Sequence, residues 1–212
     1  MPDPNTQQLL GAEPAELNTD SLSFVGLRGD SRRHLSRTAL VAAIEKLPPV
    51  PRDEGTLELM VARGKAGERT LPEEVTLTVE GGMPGDRWAS DDRYGPAFQL
   101  ATTRFDFARL IANGQPLELH GDNLYLHLDL SSENLPAGSL LRLGQTLLRV
   151  TRQAHNGCKK WVQRFGLAPM QLNLAPQYRH LHLRGIYLQV IESGCVRKGD
   201  KVSVLERGGT RP

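Results

Sequence analysis

Residues 124–130 read LYLHLDL, a leucine at every second position with Tyr125, His127 and Asp129 between them. Only an extended chain with one buried face uses that period, because successive side chains of a strand point to opposite faces of its sheet. The pattern recurs in Leu57, Leu59 and Val61, in Val75, Leu77 and Val79, in Leu147, Leu148 and Val150, in Ile186, Leu188 and Val190, and in Val202 and Val204. Turns separate the runs at Gly81-Gly82, Gly121-Asp122, Gly144, Gly194 and Gly199-Asp200. Many short strands with few helices predict a mainly β fold, closed or nearly closed into a barrel, since closure disposes of open sheet edges.

The helical signals are few. Leu40, Val41, Ile44 and Leu47 recur at helical spacing after Ser36, a capping residue, and Pro48-Pro49 stops the run. Residues 1–20 are polar and proline-bearing and predict an extended or poorly ordered arm. The stretch PPVPRDEG at residues 48–55 reads as a linker. The expected organisation is an N-terminal extension with one short helix over residues 1–52 and a β-barrel domain over residues 53–212. Within the barrel domain, residues 103–112 put Phe107, Leu110 and Ile111 on one side and end at Asn113-Gly114. A last helix runs from Cys158 to near Gly166, and Pro169 opens a short second turn. Arg28-Gly29-Asp30 matches an adhesion tripeptide by coincidence, since no export signal accompanies it.

Charge excludes several partners. A formal net of +2 and 5% aromatic residues give neither a polyelectrolyte field nor a stacking platform for nucleic acid. Two cysteines are too few for a disulfide framework, and no apolar run is long enough for a membrane span. The expectation is a soluble protein of a reducing cytoplasm with Cys158 and Cys195 as free thiols.

Cys158 lies in RQAHNGCKKWVQR, residues 152–164, between an Asn156-Gly157 turn and the start of a helix, with Lys159, Lys160 and Arg164 following. Free backbone N–H groups and nearby cations favour its thiolate, a nucleophile or soft metal ligand. Asp86 and Arg87 in a loop, Arg104 at a helix start, and Asp122-Asn123 at the mouth of the best strand could line one anion-binding hollow around that thiol. Two readings of the histidines stand. His155 with Cys158, and His180 with His182 on an expected strand, supply four ligands for tetrahedral zinc; alternatively, His155 orients the thiol as a local base. The chain has no G-x-x-x-x-G-K-[ST] loop, no G-x-G-x-x-G after a strand and no G-x-S-x-G elbow.

Five pieces resemble, in order, the MOSC domain, named for the C-terminal region of molybdenum cofactor sulfurases. They are GMPGDRW at residues 82–88, QLATTRFDF at 99–107, GDNL at 121–124, LRLGQTLLRVTRQAHNGCKKW at 141–161 and LRGIYLQVIESGCVRKGDKVSVL at 183–205. The resemblance implies a MOSC-type β-barrel in which Cys158 carries sulfur as a persulfide or ligates molybdenum of the pterin cofactor. It also implies that Arg104, Asn123 and Arg87, near Asp122, Lys159 and Arg164, hold the pterin. Some relatives reduce N-hydroxylated bases or amidoximes, so the implied partners are a small-molecule substrate and an external electron donor or a sulfur donor such as a cysteine desulfurase. Trp88 stands where the family often has histidine. A non-catalytic carrier of sulfur or cofactor is the second reading, and a zinc-dependent hydrolase the third.

Overall fold

The computed structural model describes residues 19–209 except Ser23, so most of the N-terminal arm lies outside the described residues. Seven strands close a barrel in the order β1-β11-β7-β8-β9-β5-β6. They are β1 (Glu54–Met60), β5 (Leu100–Arg104), β6 (Leu124–His127), β7 (Leu140–Leu143), β8 (Thr146–Val150), β9 (Ile186–Glu192) and β11 (Lys201–Glu206). Four further strands stay outside it: β2 (Ala62–Arg63) pairs with β3 (Arg69–Thr70), and β4 (Glu74–Leu77) with β10 (Gly194–Arg197). Cys195 sits within β10.

The alternating leucines fill the barrel. Leu57, Leu124, Leu126, Leu141, Leu148 and Leu188 are all fully buried in one cluster. Each such side chain contributes about 2 kcal/mol over an exposed one. Strand β6 ends at His127, earlier than the alternation predicts. Asp129 bends the chain there, its N–H bonding Pro51 O and its carboxylate accepting from Ser131 N, while Leu128 and Leu130 stay in the core.

Strands β5 and β6 are parallel, so a crossover joins them. It contains helix α2, Phe105–Ala112, which starts two residues later than its periodicity suggests because Thr103 and Arg104 belong to β5. Helix α1 (Arg37–Glu45) is capped by Ser36, whose Oγ accepts from Ala39 N at 3.1 Å. Helix α3 (Lys159–Phe165) follows Cys158, and α4 (Leu167–Leu174) is a full helix rather than a short turn. The four helices share a second core: Leu40, Phe107, Ile111, Trp161, Phe165 and Leu172 pack together outside the barrel. His180 and His182 are not on a strand; they occupy a 3-10 turn and its left-handed end. No helix among the described residues is long and apolar enough to cross a membrane.

Candidate functional site

A hollow of about 380 Å³ opens where β1 leaves the barrel and β6 and β9 enter it. Its architecture begins with Asn123, whose side chain accepts from Ala101 N at 3.0 Å and donates to Val61 O at 3.1 Å and Asp86 at 2.7 Å. Asp86 in turn grips Arg63 through two side-chain bonds of 2.8 and 2.9 Å and caps Trp88 N. Burial opposes the Asp86 carboxylate, but Arg63 outweighs it and holds Asp86 below its ordinary value. On the other side Arg184 places Nη1 2.6 Å from both oxygens of Asp122 and donates Nη2 to His120 O. Burial works against the Arg184 charge, yet Asp122 holds it above its ordinary value. Burial pushes the Asp122 carboxyl the other way, upward, against the pull of Arg184. Two contacts of 2.6 Å make the ionised pair the form present.

Four more cations line the hollow without any ion pair among the described residues: Arg69, Arg87, Lys160 and Arg164. Arg69 bonds the carbonyls of Glu118, Gly67 and Glu68, Arg164 those of Leu27 and Leu119, and Lys160 that of Val25. Burial and the charge of Arg69 bring Arg164 down to about 10. Burial, then Arg87, lowers Lys160 in the same way. Such mutual repulsion is what a bound anion relieves.

The remaining wall is aromatic. Tyr94 meets Phe98 at 5.5 Å between centroids, Phe98 meets Tyr187 at 5.2 Å, and Tyr187 meets His155 at 4.4 Å. His155 is held well below its ordinary pKa by burial, then by Arg184 and Arg63, so its ring stays neutral. No hydrogen bond joins it to Cys158 among the described residues. Its nearest carboxylate is Asp122 at 3.8 Å. His155 Nδ1 and Arg184 Nε are buried at this site with no hydrogen-bond partner.

Of the residues singled out by sequence, Cys158, His155, Arg87 and Arg164 line the hollow together, with Cys158 exposed at its mouth. Asp122 and Asn123 lie behind it as buried supports, and Lys159 is solvent-exposed away from it. Arg104 is elsewhere. It makes two bonds of 2.6 Å to Asp106 and lies 3.7 Å from the Phe107 ring centroid, so a role in the hollow is corrected. The four-ligand zinc reading also fails: no group of three or more His, Cys, Asp or Glu side chains converges among the described residues. Arg63, Arg69, Arg184, Tyr94, Phe98 and Tyr187 were not singled out by sequence. Single basic or aromatic residues scattered over short strands and turns carry no local signal.

Residues 105–203 match the family model described as MOSC domain. No sequence match to a curated protein was found. The fold is similar to that of a hypothetical protein solved by crystallography, at 21% identity and TM-score 0.56, covering 75% of this chain and 71% of that one. It is similar also to the YUAD protein from Bacillus subtilis, at 19% identity and TM-score 0.51, covering 73% and 97%. A third likeness is to YiiM from Escherichia coli, at 23% identity and TM-score 0.50, covering 73% and 71%. The matched segment takes in Asp122, Cys158, Arg164 and Arg184, whereas Arg63, Arg69 and Arg87 precede it. Residues 105–203 are thus similar to a MOSC domain, and the seven-stranded closed barrel around them is consistent with the MOSC fold.

Proposed function

We propose that the hollow binds a molybdenum-bearing pterin cofactor, with Cys158 at its mouth as the sulfur ligand, and that the protein reduces N-hydroxylated bases or related N-oxygenated compounds. The observation that carries this reading is an exposed thiol at the mouth of a hollow that holds two buried polar atoms without partners. Each unsatisfied atom costs about 1–3 kcal/mol until a ligand or water meets it. The donor set fits the group: thiolate is a soft ligand suited to molybdenum, guanidinium and ammonium groups suit its phosphate, and the Tyr94–Phe98–Tyr187–His155 wall suits a planar ring.

Arg69, Arg87, Lys160 and Arg164 would hold the anionic group, and His155 and Arg184 would meet polar atoms of the ring system. The cofactor, when bound, supplies two-electron redox chemistry. Overall, R–NHOH with two electrons and two protons gives R–NH2 and water, the electrons coming from an external donor protein. Free Cys158 and Cys195 suit a reducing cytoplasm.

The exposure of Cys158 favours a second reading, in which a donor such as a cysteine desulfurase leaves a persulfide on it and the protein passes that sulfur on without turnover. Protein isolated with its metal should be assayed for pterin, molybdenum and reduction of a hydroxylamine substrate. Turnover lost in Cys158→Ser supports the enzyme. Persulfide on Cys158 without turnover supports the carrier, and an absence of pterin, molybdenum and persulfide overturns both.

A further inference from the structure

Residues 24–29 pass the mouth of the hollow as a strap without regular secondary structure, bent at Val25-Gly26, that precedes the family match and belongs to neither helix α1 nor the barrel. Val25 and Gly26 line the hollow, although Val25 is 76% exposed to solvent on its outer side. Arg28 ties the strap back to the carbonyls of Leu22 and Asp20, and the strap's other side-chain hydrogen bonds go to helix α3. Lys160 Nζ donates to Val25 O at 3.2 Å, and Arg164 Nε to Leu27 O at 2.9 Å. Gln163 clamps Gly29 from both sides, accepting its N–H at 2.9 Å and donating to its carbonyl at 3.3 Å. The Phe24 ring collects three cations, with Arg28 at 5.4 Å, Lys160 at 5.6 Å and Arg164 at 5.9 Å from its centroid.

Across the mouth the strap meets backbone. A Cβ built on Gly67, at φ +95°, would lie 2.8 Å from the Cα of Gly26. Glycine at position 67 lets the two chain segments touch on that side of the hollow, and Gly26 takes φ +126°, which favours glycine. The strap is therefore shut by the same two cations, Lys160 and Arg164, that face the hollow.

We propose that residues 24–27 form a gate over the anion site, with Lys160 as its latch. A ligand's anionic group and the Val25 carbonyl compete for one ammonium, so ligand binding and strap closure oppose each other. This rests on the anion-binding reading above. Because the closed strap must be displaced, the apparent affinity is the intrinsic affinity reduced by the fraction of molecules with the strap open. Weakening the strap without replacing Lys160 or Arg164 must then tighten binding.

Inorganic pyrophosphate serves as the probe, measured by calorimetry on the full chain and on Phe24→Ala and Gly67→Ala, with trypsin cleavage after Arg28 followed in parallel. Phe24 removes the ring that gathers the cations, and Gly67→Ala pushes the strap away by contact, so the two variants reach the same end by different routes. Expected are pyrophosphate affinities about threefold or more tighter in both variants, and faster cleavage after Arg28 when wild-type protein is saturated with pyrophosphate. Binding that is unchanged or weaker in both variants, or cleavage that pyrophosphate leaves unchanged or slows, overturns the gate and leaves the anion site standing. No pyrophosphate binding by any of the three overturns the anion site and the gate with it.

Discussion

Arg184 is anchored to Asp122 by one nitrogen that lies 2.6 Å from both carboxylate oxygens, with the two side chains almost wholly enclosed. The pair joins the turn before β6 to the turn before β9 and so sets one side of the hollow. Replacing Asp122 with alanine strands a guanidinium in the interior, which costs about 3–5 kcal/mol. Asp122→Asn keeps an acceptor in place and should cost less. Urea unfolding of both variants checks this, and equal stability of Asp122→Ala and wild type would show the pair to be idle.

Acid should weaken the fold through histidines that burial keeps neutral, His34, His120, His155 and His182, of which His120 and His155 flank the hollow. Burial, then the charge of Arg184, lowers His120 to about 3, and His155 is lowered in the same direction. His120 is neutral for a geometric reason as well, since Trp161 Nε1 donates to its Nδ1 while Nε2 faces Ala108 O. The unfolded chain binds a proton on each near pH 6.5 and the folded chain does not. Their contribution is therefore full above pH 6.5 and drains as pH falls below it, in the case of His120 toward about 3. Each fully neutral histidine removes about 1 kcal/mol per pH unit over the first unit below 6.5. Unfolding free energies at pH 7, 6 and 5 should show that slope, shallower in His120→Gln.

The strands were legible because a leucine at alternate positions has only one way to reach a shared core, and the Ser36 cap and the Asn113 helix end were legible because their chemistry is local. Asn113 adopts φ 47° and ends α2 where expected. Cys158 was legible for the same reason, its turn and helix start being contiguous. The cationic set was not. Arg63 and Arg69 are paired across β2 and β3, but Arg184 comes from a turn more than a hundred residues later, and only closure of β1 and β9 into the barrel brings it to their rim. Likewise nothing in HLHL distinguishes a strand from the turn that His180 and His182 form, because the left-handed residue there is histidine rather than glycine.

Arg87 offers the cleanest test of the anion site. Its side chain makes no ion pair among the described residues and it lies on the hollow's rim in an exposed turn. Removing it should leave stability within about 0.5 kcal/mol of wild type, as for surface positions without buried partners. A lost charge-assisted hydrogen bond to phosphate is worth roughly 1.5–3 kcal/mol, so pyrophosphate affinity in Arg87→Ala should fall about tenfold or more. Calorimetry against a matched thermal melt reads both quantities.

Asn123 and Arg104 should behave in the opposite way, although both stand in segments that resemble ligand-holding ones. Asn123 uses its amide on Ala101, Val61 and Asp86, and all three partners would be left short in Asn123→Ala. That substitution should cost roughly 3 kcal/mol or more, because buried groups lose partners that water cannot replace. Arg104 is occupied by Asp106 and packed on Phe107, away from the hollow. Pyrophosphate affinity in Arg104→Ala should stay within about twofold of wild type, and a loss as large as that from Arg87→Ala would place its guanidinium in the site after all. Measured side by side, the three variants separate residues that meet the anion from residues that hold the rim in shape: Arg87→Ala loses binding at constant stability, Asn123→Ala loses stability first, and Arg104→Ala retains binding.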